Sequence, residues 1–325
     1  EGTRATMELV KRSSVVAGAV AAAAAAGAVG VEFARRATRR AAPEEELGGR
    51  SFSITTSDGA VLAATDIGSG PLVVLSHCYT GSRLVWVPVA TRLVETGHRV
   101  VLWDQRGHGE STVGSDGFSI ERLGDDLREV LDAVDARRAV VAGHSMGGMA
   151  VMAFASRHPS VLMRRVRSIV LVSTAAGGVG TIVPAGAVAA VLASPVATMV
   201  TASVIGPLVG RMVHGPGMTW SQLVTGTRLY SRTAPATRAG CLRSMSSMDL
   251  RDGLAKCHVP AVVVVGDHDR LTPVKLAADI VANLPDADLI IVPKAGHMLP
   301  FEAPDRLAEV ISAMAVVAPT SLTTP

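Results

Sequence analysis

The chain has 325 residues, a formal net charge of +3, 48% hydrophobic residues and only 3% aromatic ones. That length suits one large α/β domain with an insertion, and an Ala/Val/Leu core suits helices packed on a parallel sheet. The arginines are scattered or gathered near the N-terminus, with no basic stripe interleaved with aromatics, which argues against nucleic acid as a partner, and the odd cysteine count (Cys78, Cys241, Cys257) excludes a complete disulfide framework.

Residues 13–31 carry no charge and are long enough to span a bilayer, but they are mostly alanine and glycine, which gain little from hydrocarbon. A membrane anchor is the first reading of this stretch, with a signal-peptide core or an interfacial helix as alternatives. Arg4, Lys11 and Arg12 precede it and Arg35, Arg36, Arg39 and Arg40 follow it. The positive-inside bias therefore keeps the following domain in the cytoplasm at the membrane, the alternatives being a soluble cytoplasmic chain or one exported to the cell envelope. Residues 41–49, with Pro43 and three glutamates, read as a linker that closes an N-terminal segment 1–50.

The folded part begins with alternating strands over 51–57 and 60–66, joined at Asp58-Gly59. A continuous apolar strand over 72–76, a helix over 83–96, a strand over 100–103 and an amphipathic helix over 120–134 follow. The apolar run 139–142 then delivers the chain to Gly143-His144-Ser145-Met146-Gly147-Gly148. A serine between glycines, after a strand and before a helix, is the pattern of a nucleophile elbow. The backbone N–H of Met146, in the first turn of that helix, would face a developing oxyanion.

After a strand over 168–172 the rhythm stops for roughly eighty residues, which marks an insertion with its own structure. Residues 168–210 are uncharged, and Pro184, Pro195 and Pro207 break them into short helical pieces rather than a second membrane span. The expected arrangement is a core over 51–178, an apolar helical cap over 179–258, a second core segment over 259–318 and a tail over 319–325. Met245 and Met248 belong either to a pocket or to the cap's own core. In the second core segment a strand over 261–265 ends in Gly266-Asp267-His268-Asp269, a strand over 289–292 leads to Gly296-His297, and a helix runs over 304–316.

Ser145, Asp269 and His297 all fall at the carboxyl ends of strands, where open α/β sheets bind ligands. Serine needs an imidazole to take its proton, and the imidazole needs a carboxylate on its far nitrogen. The chain order Ser, Asp, His is that of elbow-type hydrolases. On these motifs residues 51–316 resemble the α/β-hydrolase fold superfamily, in its serine esterase and lipase branch.

The resemblance implies an eight-stranded, mostly parallel, doubly wound sheet with a helical cap after the sixth strand, a Ser145–His297–Asp269 triad and no cofactor. It places the acid at Asp269 rather than Asp267. Read as metal ligands, Asp267, His268 and Asp269 have no further partner at ligand spacing. The turn Asp104 to Gly109 would brace the loops near the oxyanion site, and the second oxyanion donor would be the N–H of Tyr79. His77, Cys78 and His144 are the substrate-pocket candidates, with His77 and His144 expected to pack or hydrogen-bond rather than carry protons. Cys78 stands where the family usually has glycine. It either points away without effect or narrows the acyl site and makes activity sensitive to thiol reagents.

The expected function is hydrolysis of a small-molecule carboxylic ester with an apolar or lipid-like acyl chain. Carbon–carbon bond hydrolases, amidases, thioesterases and perhydrolases share the same residues, and a non-catalytic ligand binder is the rival from another class.

Overall fold

The Asp58-Gly59 turn shapes the start of the sheet. Thr56 donates its hydroxyl to Asp58 (2.6 Å) and accepts the Ala60 N–H (3.0 Å), while Gly59 takes a φ of 83°. The computed structural model describes residues 48–179, 194, 207–208 and 217–316. The expected membrane segment 13–31, most of the linker, most of the first half of the insertion and the tail lie outside the described residues.

The elements run β1 (Arg50–Thr55), β2 (Val61–Gly68), β3 (Leu72–Ser76), a 3-10 turn (Arg83–Trp86), α1 (Val87–Glu95), β4 (Arg99–Trp103), α2 (Ile120–Ala133) and β5 (Ala139–His144). They continue with α3 (Met146–Arg157), α4 (Pro159–Arg165), β6 (Val166–Val172), α5 (Trp220–Arg232), α6 (Pro235–Ser247), α7 (Arg251–Leu254) and β7 (Ala261–Gly266). Last come α8 (Val274–Asn283), β8 (Ala287–Val292), α9 (Leu299–Glu302) and α10 (Pro304–Met314).

The eight strands form one sheet in the order β1-β2-β4-β3-β5-β6-β7-β8, with β2 antiparallel to both neighbours and every other pair parallel. This is the expected doubly wound architecture, with the insertion after the sixth strand. Its central strands are apolar throughout because both faces are covered. Val74, Val141, Leu171 and Val263 face one core with α2, α3 and α8, whereas Val73, Val140, Val170 and Val262 face another with α1 and α10.

Some boundaries differ from expectation. The helix over 83–96 is a 3-10 turn followed by α1, which has Pro88, a residue without an N–H, in its first turn. The last strand starts at Ala287, and α4, with Pro159 at its start, was not foreseen. In the insertion, α5 starts with a reciprocal cap between Thr219 and Gln222, and Ser244 on α6 accepts the N–H of Ile120 (2.8 Å). Met245 and Met248 are buried in the core cluster that also holds α2 and α3. Among the described residues no helix is long and apolar enough to cross a membrane, and no group of three or more His, Cys, Asp or Glu could hold a metal ion.

Candidate active site

Ser145 joins β5 to α3 with φ 54° and ψ −116°, a conformation that costs a non-glycine residue strain. The strain is held from both sides. Ser145 donates its N–H to the Val172 carbonyl (2.9 Å), and its own carbonyl accepts from the Thr174 hydroxyl (2.7 Å). The glycines around it are dictated by proximity. A Cβ on Gly147 would lie 2.2 Å from the Ser76 carbonyl, and one on Gly143 would lie 2.3 Å from that of Gly147. Met146 opens α3, so its N–H has no carbonyl partner within the helix.

Asp269 and His297 lie just past the ends of β7 and β8 and are both buried. Nδ1 of His297 stands 3.0 Å from Oδ2 and 3.1 Å from Oδ1 of Asp269. Asp269 also accepts the N–H groups of Leu271 (3.0 Å) and Thr272 (2.8 Å) and the Thr272 hydroxyl (2.8 Å). Burial alone would raise the Asp269 carboxyl, but the adjoining His297 ring and these hydrogen bonds outweigh it and hold the group well below the usual carboxylate range. Nδ1 therefore carries the proton toward Asp269 and leaves Nε2 as the basic nitrogen. Asp267 is exposed and turned to His268 (2.5 Å), away from this pair.

The loop after β3 is fixed by two buried imidazoles. His77 donates Nδ1–H to the Cys78 carbonyl (2.8 Å) and accepts the Gln105 N–H at Nε2 (2.9 Å). His108 donates Nδ1–H to the Arg106 carbonyl (3.0 Å) and accepts the Thr80 N–H at Nε2 (3.2 Å). Burial pushes His77 down to about 4 and His108 to about 3, so both stay neutral acceptors. Tyr79, between them, donates its hydroxyl to the Arg238 carbonyl on α6 (2.9 Å).

The bond from the Thr80 N–H to His108 is not foreseen from the sequence. The place of His108 in the turn 104–109 was the available signal. That turn bonds the loop after β3 through His108, Gln105 and Asp104. Arg106 lies wholly buried between Asp126 (2.6 Å) and Asp58 (2.8 Å), and the Asp104 carboxylate accepts the N–H of Arg83 (2.6 Å).

His77 and His144 have no exposed surface and bond to backbone groups, His77 to Cys78 and Gln105 and His144 to His297. His144 and His297 have ring centroids 5.1 Å apart. Cys78 is buried in an apolar cluster with Val85, Met218, Leu223, Leu229, Met298 and Phe301, which brings together the loop after β3, the insertion and the segment after His297. Burial pushes its thiol up to about 12, which weighs against the second of the two alternatives for this residue, thiol-sensitive activity.

Residues 71–304 match the sequence profile of the family described as alpha/beta hydrolase fold. The chain is 28% identical over 252 residues to a non-heme chloroperoxidase of Kitasatospora aureofaciens, covering 75% of this chain and 90% of that protein. It is 33% identical over 109 residues to a bifunctional esterase/perhydrolase of Acinetobacter calcoaceticus, 33% of this chain and 40% of that one. A thermophilic esterase from Thermogutta terrifontis superposes with a TM-score of 0.65 at 25% identity, covering 81% of this chain and 97% of its own.

Proposed function

The chain belongs to the alpha/beta hydrolase fold family, and within it we propose a serine hydrolase that cleaves carboxylic esters with an apolar acyl chain. Ser145 Oγ attacks the ester carbonyl as His297 Nε2 takes its proton, and Asp269 steadies the imidazolium through Nδ1–H. The N–H groups of Met146 and Tyr79 receive the oxyanion. His297 then protonates the leaving alcohol, and water, activated by the same imidazole, releases the acid and restores Ser145.

The observation that carries this reading is the Asp269–His297 pair at 3.0 Å, with the His297 carbonyl bonded to His144, the residue before a serine held at φ 54°. The esterase names among the similar proteins support the reaction class. The cluster of Cys78, Val85, Met218, Leu223, Leu229, Met298 and Phe301 supports an apolar acyl group. Nitrophenyl esters of increasing chain length test it. The reading requires turnover that persists or rises beyond acetate, and activity on acetate alone contradicts the apolar preference.

Perhydrolysis is a second reading, favoured by the similarity to the bifunctional esterase/perhydrolase of Acinetobacter calcoaceticus. Hydrogen peroxide would replace water on the same acyl-enzyme and leave as a peracid. Peracid formation on adding peroxide to an ester assay separates the two.

A further inference from the structure

We infer that Glu302 is a positioning residue that fixes the backbone carrying His297, an inference that rests on the role proposed above for that histidine. Its carboxylate folds back from α9 and takes one amide on each side of His297. Oε2 accepts the Gly296 N–H (2.8 Å) and Oε1 accepts the Met298 N–H (3.0 Å).

The other ends of the same two peptide units are also held. The Ala295 carbonyl accepts the His268 N–H (2.9 Å), and the His297 carbonyl accepts from His144 Nε2 (2.7 Å). A peptide unit is planar, so pinning its carbonyl and its N–H fixes its plane. The planes 295–296 and 297–298 flank His297, and fixing both leaves its Cα little freedom. Gly296 would otherwise make this the loosest part of the loop. Bonds to an ionised carboxylate are also stronger than those to a neutral acceptor.

The insertion closes over this clamp. The site of a Cβ on Gly217 lies 3.4 Å from Glu302 Oε2, and Gln222 on α5 donates to the Phe301 carbonyl (3.2 Å). Seating of the insertion and placement of His297 therefore share one element. A glutamine at 302 offers one acceptor oxygen in place of two, whereas alanine offers none.

The test uses Glu302→Ala and Glu302→Gln in the full chain, read by nitrophenyl acetate kinetics and by the imidazole ring resonances of His297 without substrate. A displacement near 1 Å costs on the order of 100-fold, so Glu302→Ala is expected to lower kcat by up to about 100-fold with KM within about twofold. Glu302→Gln should fall between, and the His297 resonances should broaden or split in both. Wild-type kcat and unchanged resonances in a folded variant overturn the inference. If Glu302→Ala does not fold, Glu302→Gln gives the same reading. A wild type that fails to turn over any ester defeats the esterase reading alone, since the resonances report the clamp without substrate.

Discussion

His144 donates Nε2–H to the carbonyl of His297 over 2.7 Å, so the residue before Ser145 is bonded directly to the residue proposed as its base. The two reach this point from different strands, and the bond links the end of β5 to the loop after β8. Replacing His144 with phenylalanine leaves that buried carbonyl without its donor, a loss of about 1–3 kcal/mol. Urea unfolding should register that loss, and kcat should fall about tenfold by misplacement of His297.

Asp267 and Asp269 are chemically alike and stand two positions apart, but only Asp269 is buried against the ring of His297. Asp269→Asn is expected to lower kcat by about 10³–10⁴-fold, because the amide favours the wrong imidazole tautomer. Asp267→Asn should leave kcat within about threefold. Equal losses would undo the assignment of the acid.

Burial raises the thiols of Cys78 and Cys241 to about 12 and that of Cys257 to about 11. At pH 8 a thiol with a pKa of 12 is ionised in about one molecule in 10⁴, so none should react while the chain is folded. Iodoacetamide at pH 8 should leave activity intact, with all three cysteines modified only after unfolding. Loss of activity with a single alkylated Cys78 would contradict this.

His77 and His108 stay neutral down to about 4 and about 3, against 6.5 for an ordinary histidine. Between those limits the unfolded chain binds protons that the folded chain does not, so stability is full above about 6.5 and falls as pH drops through the window. Each ring adds a slope of up to ~1.4 kcal/mol per pH unit there. Asp58 and Asp269, held well below the carboxylate value of 3.8, lose their contribution only at lower pH. Urea titrations between pH 7 and 4.5 should show the decline, shallower in His108→Phe. A flat profile would contradict the buried-neutral state.

The strands were legible because a strand covered on both faces must be apolar at every position, as Leu72 to Leu75 and Val262 to Val265 are. The elbow was legible because Gly143, Gly147 and Gly148 have no room for a Cβ. Glu302 and His108 were not. Their work is done by side chains bonding to backbone in segments distant along the chain, and such bonds leave no periodic mark in a sequence. Met245 and Met248 were ambiguous for a related reason, since an apolar residue on a helix does not show which neighbour covers it.

An activated Ser145 nucleophile is what the proposed hydrolase requires. Treating the folded chain with a fluorophosphonate and mapping the adduct by peptide mass spectrometry tests it most directly. A single adduct on Ser145, absent in Ser145→Ala and strongly slowed in His297→Ala, is the expected result; a folded wild type that takes no label, or takes it elsewhere, contradicts the claim.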